Sequence, residues 1–269
     1  MDAKPTQWSP EHGSAWQDAD AARSYLARPA YPEETCDLLA WLGARGGRVL
    51  DIGTGTGELA RRLVGCAAGI DAVDIAMPML DLARRLPGGG AASIRWIHGQ
   101  VHEVELSPPY DLAMAGDSIH WVDWEPTFAR LAKVLRPPGR LVLLTRDDEA
   151  TPWRGELHEL IARHSVNRDW QALDLVAELE RRGLFQAGGR HETAPGLVSQ
   201  SIEEYLDLVH SRSALARRRL GAVALRELDE GVLRIVAPHV RDGRLTYPVS
   251  CVLTWGTVMP PTDRAGLRA

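Results

Sequence analysis

Between Arg48 and Thr145, short apolar runs alternate with longer mixed segments. The runs are 48–52 (RVLDI), 70–74 (IDAVD), 94–97 (IRWI), 111–115 (DLAMA) and 140–145 (RLVLLT). Each predicts a strand, and the intervals are long enough for crossover connections. Alternation of this kind implies parallel strands joined by right-handed crossovers, hence an α/β doubly wound sheet. The clearest helix spans Pro126 to Leu135. Phe128, Leu131, Ala132 and Leu135 repeat at helical spacing, Pro126 suits a first turn, and RPPG at 136–139 ends it.

The pattern differs on either side. The first thirty residues are polar and broken by Pro5, Pro10, Gly13, Pro29 and Pro32, an arm leading into a helix over 33–42. Beyond 147 the regular alternation lapses. Amphipathic helices are expected around Leu157 to Ile161, Leu175 to Leu179 and Ile202 to Val209, followed by a longer helical stretch to Val236. A weak strand is expected near Arg190–Leu197, and a last one at 245–255 (LTYPVSCVLTW), where Pro248 restricts pairing. The expected organisation is an arm or lid (1–32), a ligand-binding core (33–147), a helical cap that includes one core strand (148–240), and a terminal strand and tail (241–269). The residues from Pro260 are expected to fray.

Composition narrows the class of protein. In 269 residues the apolar fraction is 45% and the charged fraction 25%, values of an ordered soluble chain. A net charge of −5 offers no basic excess for nucleic acid or anionic lipid. No apolar run approaches the roughly 18 residues of a membrane span. The start, MDAKPTQWSP, lacks the apolar stretch of a signal peptide. Cys36, Cys66 and Cys251 lie far apart, which predicts neither a disulfide framework nor a metal site, and a cytoplasmic setting. Nine Trp against two Phe is the one oddity.

The sharpest motif is VLDIGTGTGELARRL at 49–63, in which a strand ends at Asp51, glycines follow at 53, 55 and 57, and a helix opens. Glycines there permit positive φ and close approach of a ligand to the backbone. A dinucleotide fingerprint would need glycine at 58, where Glu58 stands, and the Gly-Lys-Ser/Thr of a P-loop is absent. A carboxylate at Asp51 would repel a pyrophosphate but accept from an ammonium. Asp74, at the end of the second run, can accept from both hydroxyls of a ribose. A ligand with an amino-acid end and a ribose satisfies both acids, and S-adenosylmethionine (SAM) is such a ligand.

With DIGTGTG, DAVDIAMPMLDLAR, IHGQVHEVEL and YDLAMAGDSIHWVDWEPTFARLAKVLRPPGRLVLL in this order, residues 20–147 resemble the class I SAM-dependent methyltransferases. The resemblance is to the small-molecule branch that includes trans-aconitate methyltransferase-like proteins. It implies a Rossmann-like, doubly wound, mostly parallel seven-stranded sheet with an antiparallel terminal strand and a helical cap. It also implies SAM as cofactor and S-adenosylhomocysteine (SAH) as product. Carried over by position, Asp51, Gly53, Thr54 and Gly55 would line the methionine end and Asp74 would hold the ribose. Ile75 and Met79 would flank the adenosine, Gln100 and Val101 would meet the adenine edge, and Asp117 and Ser118 would lie under the methionine. The family's usual Asp is replaced at Gln100, whose carbonyl can also accept from the adenine amino group. Tyr25 and Arg28, in SYLARPAYP, are candidate lid contacts.

Methyl transfer from a sulfonium is an in-line displacement, so the protein must orient the acceptor and exclude water. A carboxylate acceptor needs no base; a phenol, amine or carbon acid gains from one. The candidate base is His120 in DSIHWVDW, with Trp121 as an aromatic wall and Trp153 of the cap as a further substrate contact. Clustered Trp favours a flat or apolar acceptor over a small dicarboxylate; the expected acceptor is a small aromatic or carboxylate-bearing metabolite, with no nucleic-acid, membrane or metal partner. Two other readings stand beside it: non-methylating chemistry on the same cofactor, and a silent, methyltransferase-like binding protein. The sequence is silent on oligomeric state.

Overall fold

The computed structural model describes residues 3–148 and 150–259, so the expected frayed tail lies outside the described residues. Strands β1 (Arg48–Ile52), β2 (Gly69–Asp74), β3 (Ile94–His98), β4 (Tyr110–Gly116) and β5 (Leu135–Asp147) match the five apolar runs. β6 (Phe185–Glu192), β7 (Gly196–Ser201) and β8 (Arg244–Val258) complete an eight-stranded sheet. Its order is β3-β2-β1-β4-β5-β8-β6, with β7 paired to the free half of β8. β1 to β5 pair in parallel, and β8 runs antiparallel to β5, β6 and β7. The expected seven strands form the main path and β7 is an eighth. The antiparallel strand is interior, with β6 at the edge.

Helices α1 (Pro10–Gly13) and α2 (Ala19–Ser24) build the N-terminal arm, and α3 (Glu33–Leu39) continues as a π-helical turn to Ala44. α4 (Glu58–Arg62), α5 (Met77–Arg85) and α6 (Trp124–Val134) are the crossovers. α7 (Arg154–His164), α8 (Leu175–Arg181), α9 (Ile202–His210) and α10 (Ala222–Val236) follow. No described helix is long and apolar enough to cross a membrane.

Alternation along the parallel strands explains the two-sided core. Leu50, Leu141 and Leu143 pack with Phe128, Leu131 and Phe185 on one face, while Val49, Val142 and Leu144 pack with Leu39, Leu63 and Leu253 on the other. A third cluster joins Leu157, Leu160, Leu208, Leu228 and Val232 to Leu245, Tyr247 and Val249 of β8. One long strand therefore serves two cores. Pro248 falls where β8 pairs only with β7, so its missing N–H costs the central sheet nothing.

Strand order reverses between β1 and β4. In open α/β sheets the crevice outside the carboxyl ends at such a point is where ligands sit. Asp51 is the penultimate residue of β1 there, and Asp117 and Ser118 follow β4.

Candidate active site

The loop after β1 is tied to both neighbours. The Thr54 N–H donates to the Val73 carbonyl at 3.0 Å, and the Ser118 hydroxyl donates to the Ile52 carbonyl. A Cβ on Gly53 would lie 2.6 Å from the Ser118 Cβ, so that glycine lets the β1 and β4 loops meet. Gly55 is different: the nearest atom to its Cβ position is the Tyr25 ring at 3.8 Å, so its open face looks towards the arm.

Asp74 holds the loop from the side. Its Oδ2 accepts from Gly55 N–H at 2.7 Å and its Oδ1 from Ala76 N–H at 2.8 Å. Burial pushes its carboxyl up, against the pull of those N–H groups and of His98. Asp51 is 2% exposed. It accepts from the Thr54 hydroxyl at 2.6 Å and has no ion-pair partner among the described residues. Burial, together with the Asp74 charge, outweighs that hydrogen bond and pushes its carboxyl up to about 7. A desolvated carboxylate with one hydroxyl donor fits a ligand ammonium, and the Asp74 oxygens, each with a lone pair beyond its N–H, fit a diol. The acids present therefore suit SAM.

The remaining candidates spread along the same edge. Ile75 is exposed, and Met79 packs with Ala22 and Ala76 under the arm. Gln100 is exposed, and Val101 is buried beside Val73 and Ile97. Asp117 takes φ +50°, an uncommon conformation for a side-chain-bearing residue that clusters at functional sites. Arg28 stacks on the Tyr25 ring at 4.8 Å and donates to the Ser211 hydroxyl at 3.0 Å.

A ribbon of rings runs along this edge. The Trp8 ring lies 5.8 Å from His120, His120 4.7 Å from Trp121, Trp121 5.2 Å from Trp16, and Trp16 6.3 Å from Tyr25. Two of its rings, His120 and Trp121, come from the loop after β4 and three, Trp8, Trp16 and Tyr25, from the arm. Burial, with the Lys4 and Arg28 cations, pulls the His120 imidazole down to about 3, so it is neutral across the physiological range.

Trp153 is a correction. The structure buries it in the cap core, with its indole N–H donating to the Tyr205 hydroxyl at 2.7 Å and its ring against Tyr205, His239 and Tyr247. It packs there as a core aromatic and is withdrawn as a substrate contact. Conversely, the sequence reading missed Trp8, Trp16, Tyr31 and Arg146. The surplus of Trp pointed towards the first two. Nothing local marks Arg146, whose partners lie far away in the chain.

Comparison with known proteins agrees with this geometry. Residues 49–139 match a family described as a methyltransferase domain. An uncharacterized methyltransferase of Mycobacterium tuberculosis is 40% identical over 139 residues, 51% of this chain and 54% of that protein. The chain thus spans about half the length of that relative. A malonyl-[acyl-carrier protein] O-methyltransferase of Pseudescherichia vulneris is 29% identical over 253 residues, 88% of this chain and 93% of that one. In fold, the chain resembles the structure of a candidate type II methyltransferase from Anaeromyxobacter dehalogenans, with a TM-score of 0.59, 22% identity, and coverage of 87% of this chain and 99% of that one. The segment from β1 to the Pro-Pro-Gly turn, which carries the paired acids and the glycine loop, is thus similar to methyltransferase domains.

Proposed function

We propose that the protein transfers the methyl group of SAM to a small, aromatic or carboxylate-bearing acceptor, in the cytoplasm, as a member of the small-molecule branch that its sequence resembles. One observation carries this reading: two acids, Asp51 and Asp74, stand at the carboxyl ends of neighbouring strands on either side of a glycine loop, and one of them is buried with no cation among the described residues. The relative named for O-methylation of a malonyl group supports the carboxylate half of the acceptor range. Three free cysteines suit a reducing compartment.

The sulfonium supplies the activated methyl; the chain supplies orientation and exclusion of water. Asp51 and Asp74 would hold the amino-acid and ribose ends, Ile75, Met79, Gln100 and Val101 the adenosine, and Asp117 and Ser118 the floor below the methionine. The Trp8–His120–Trp121–Trp16 ribbon gives a flat apolar wall with one polar point. With its proton affinity held so low, His120 orients the acceptor as a neutral imidazole.

Calorimetric titration with SAM, SAH and NAD tests the reading; binding of the first two alone is expected, and NAD binding alone would overturn it. Affinity should also depend on pH. The Asp51 carboxyl is raised from 3.8 to about 7, so below that pH it is mostly protonated and offers no charge to an ammonium. SAM affinity should therefore climb by up to about tenfold per pH unit between pH 5 and 7, then level off. A flat profile would show that Asp51 does not meet the ammonium. Stability without ligand should run the other way. A raised carboxyl pKa means that the unfolded chain ionises first, so stability falls as pH rises from 3.8 to about 7.

His120→Ala should lower kcat by about tenfold, the scale of lost orientation, with SAM affinity within about twofold of wild type. The pH–rate profile of the wild type should show no limb from His120 between pH 5 and 8. A limb in that range that vanishes in the variant would restore a titrating base.

A further inference from the structure

Arg146 lies near the end of β5, a strand that takes no part in the glycine loop. Its side chain is only 5% exposed. The guanidinium lies over the Tyr31 ring at 4.1 Å and donates to the Pro29 carbonyl, both in the segment that joins the arm to α3. Its Nη1 stands 3.7 Å from Glu58, the first residue of α4, and its Nη2 3.6 Å from Asp117. The Arg146 backbone N–H also donates to Asp117 Oδ1 at 3.2 Å. Its partners are tied to one another: the Tyr31 N–H donates to Glu58 at 2.7 Å and the Tyr31 hydroxyl to Asp117 at 3.1 Å. Burial holds that phenol well above its ordinary value, so it stays a donor. One buried cation thus joins the arm, the helix behind the glycine loop and the positive-φ turn after β4.

The chemistry calls for this residue type. Glu58 and Asp117 are half-buried carboxylates on separate elements; Arg62 also stands 3.6 Å from Glu58, and Arg146 is the cation that reaches both acids. Only a planar, multi-donor guanidinium can lie flat on a ring and point to three oxygens at once. The Nε is buried without a hydrogen-bond partner among the described residues. That orphan donor costs stability.

We propose that Arg146 is a positioning residue that couples seating of the arm to the shape of the cofactor cradle: it sets the turn at Asp117 and the start of α4 only while Pro29 and Tyr31 are docked on it. This rests on the SAM reading above. The test is SAH titration of Arg146→Met and Arg146→Lys, well below the melting temperature of each, with backbone hydrogen exchange over residues 24–31. The Met variant should bind SAH at least about tenfold more weakly and exchange the Tyr31 amide faster, and Lys should not restore either property. Leu184→Ala, a core cavity between α8 and β6 outside the network, should lower the melting temperature yet keep wild-type SAH affinity. Wild-type affinity in the Met or Lys variant, unchanged exchange at Tyr31, or an equal loss in Leu184→Ala would overturn the proposal. Failure of the wild type to bind SAH would overturn the cofactor reading itself, whereas binding by wild type and variants alike removes only the role of Arg146.

Discussion

Asp74→Ala is expected to weaken SAM and SAH binding by at least about 100-fold. Two hydroxyl-to-carboxylate hydrogen bonds at about 1.5 kcal/mol each already supply that factor. A second loss adds to it, because Asp74 also accepts from the Gly55 and Ala76 N–H groups, and without it the loop loses its anchor at Gly55. Asp74→Asn separates the two contributions. Its single carbonyl oxygen can keep one backbone N–H but carries no charge, so its affinity should fall between wild type and alanine. Isothermal titration of the three proteins reads this directly. Unchanged affinity in the alanine variant would remove the ribose assignment, and with it one of the two contacts on which the SAM reading stands.

The parallel half of the fold was legible because β1, β2, β4 and residues 141–144 of β5 are buried on both faces and read as largely apolar runs. β6 and β7 were blurred into one weak strand for the opposite reason. β6 is an edge strand with exposed Gln186, Ala187, Gly188 and Glu192, and such strands lack the burial that writes a pattern into sequence. The two acids proposed to hold the cofactor could be singled out because each sits at a fixed offset from a strand end. The aromatic residues were not separable by type. Trp153 in the cap core and Trp121 on the ribbon are equally apolar, and only tertiary packing tells which faces a ligand edge. Arg146 was illegible in principle, since its meaning lies in Pro29, Tyr31, Glu58 and Asp117, and no local spacing records that set.

The third glycine of the loop answers to the fold rather than to a ligand, and Gly57→Ala should show it. Gly57 has φ +71°, where a Cβ costs about 1–2 kcal/mol. That Cβ would also lie 2.2 Å from Cη2 and 2.6 Å from Cζ3 of Trp96. Trp96 cannot swing aside freely, because its indole N–H donates to the Gly89 carbonyl at 2.8 Å. Overpacking of this kind adds about 1–3 kcal/mol, so the variant should lose about 2–5 kcal/mol of stability. For a chain of this size that is roughly 5–15 °C in Tm. A double-mutant cycle with Trp96→Leu isolates the cause. Once the indole is replaced by the smaller side chain, the cost of Gly57→Ala should shrink to the conformational part, about 1–2 kcal/mol. An identical cost in both backgrounds would show that the ring is not the obstacle. The left-handed φ would then be sufficient reason for glycine at 57.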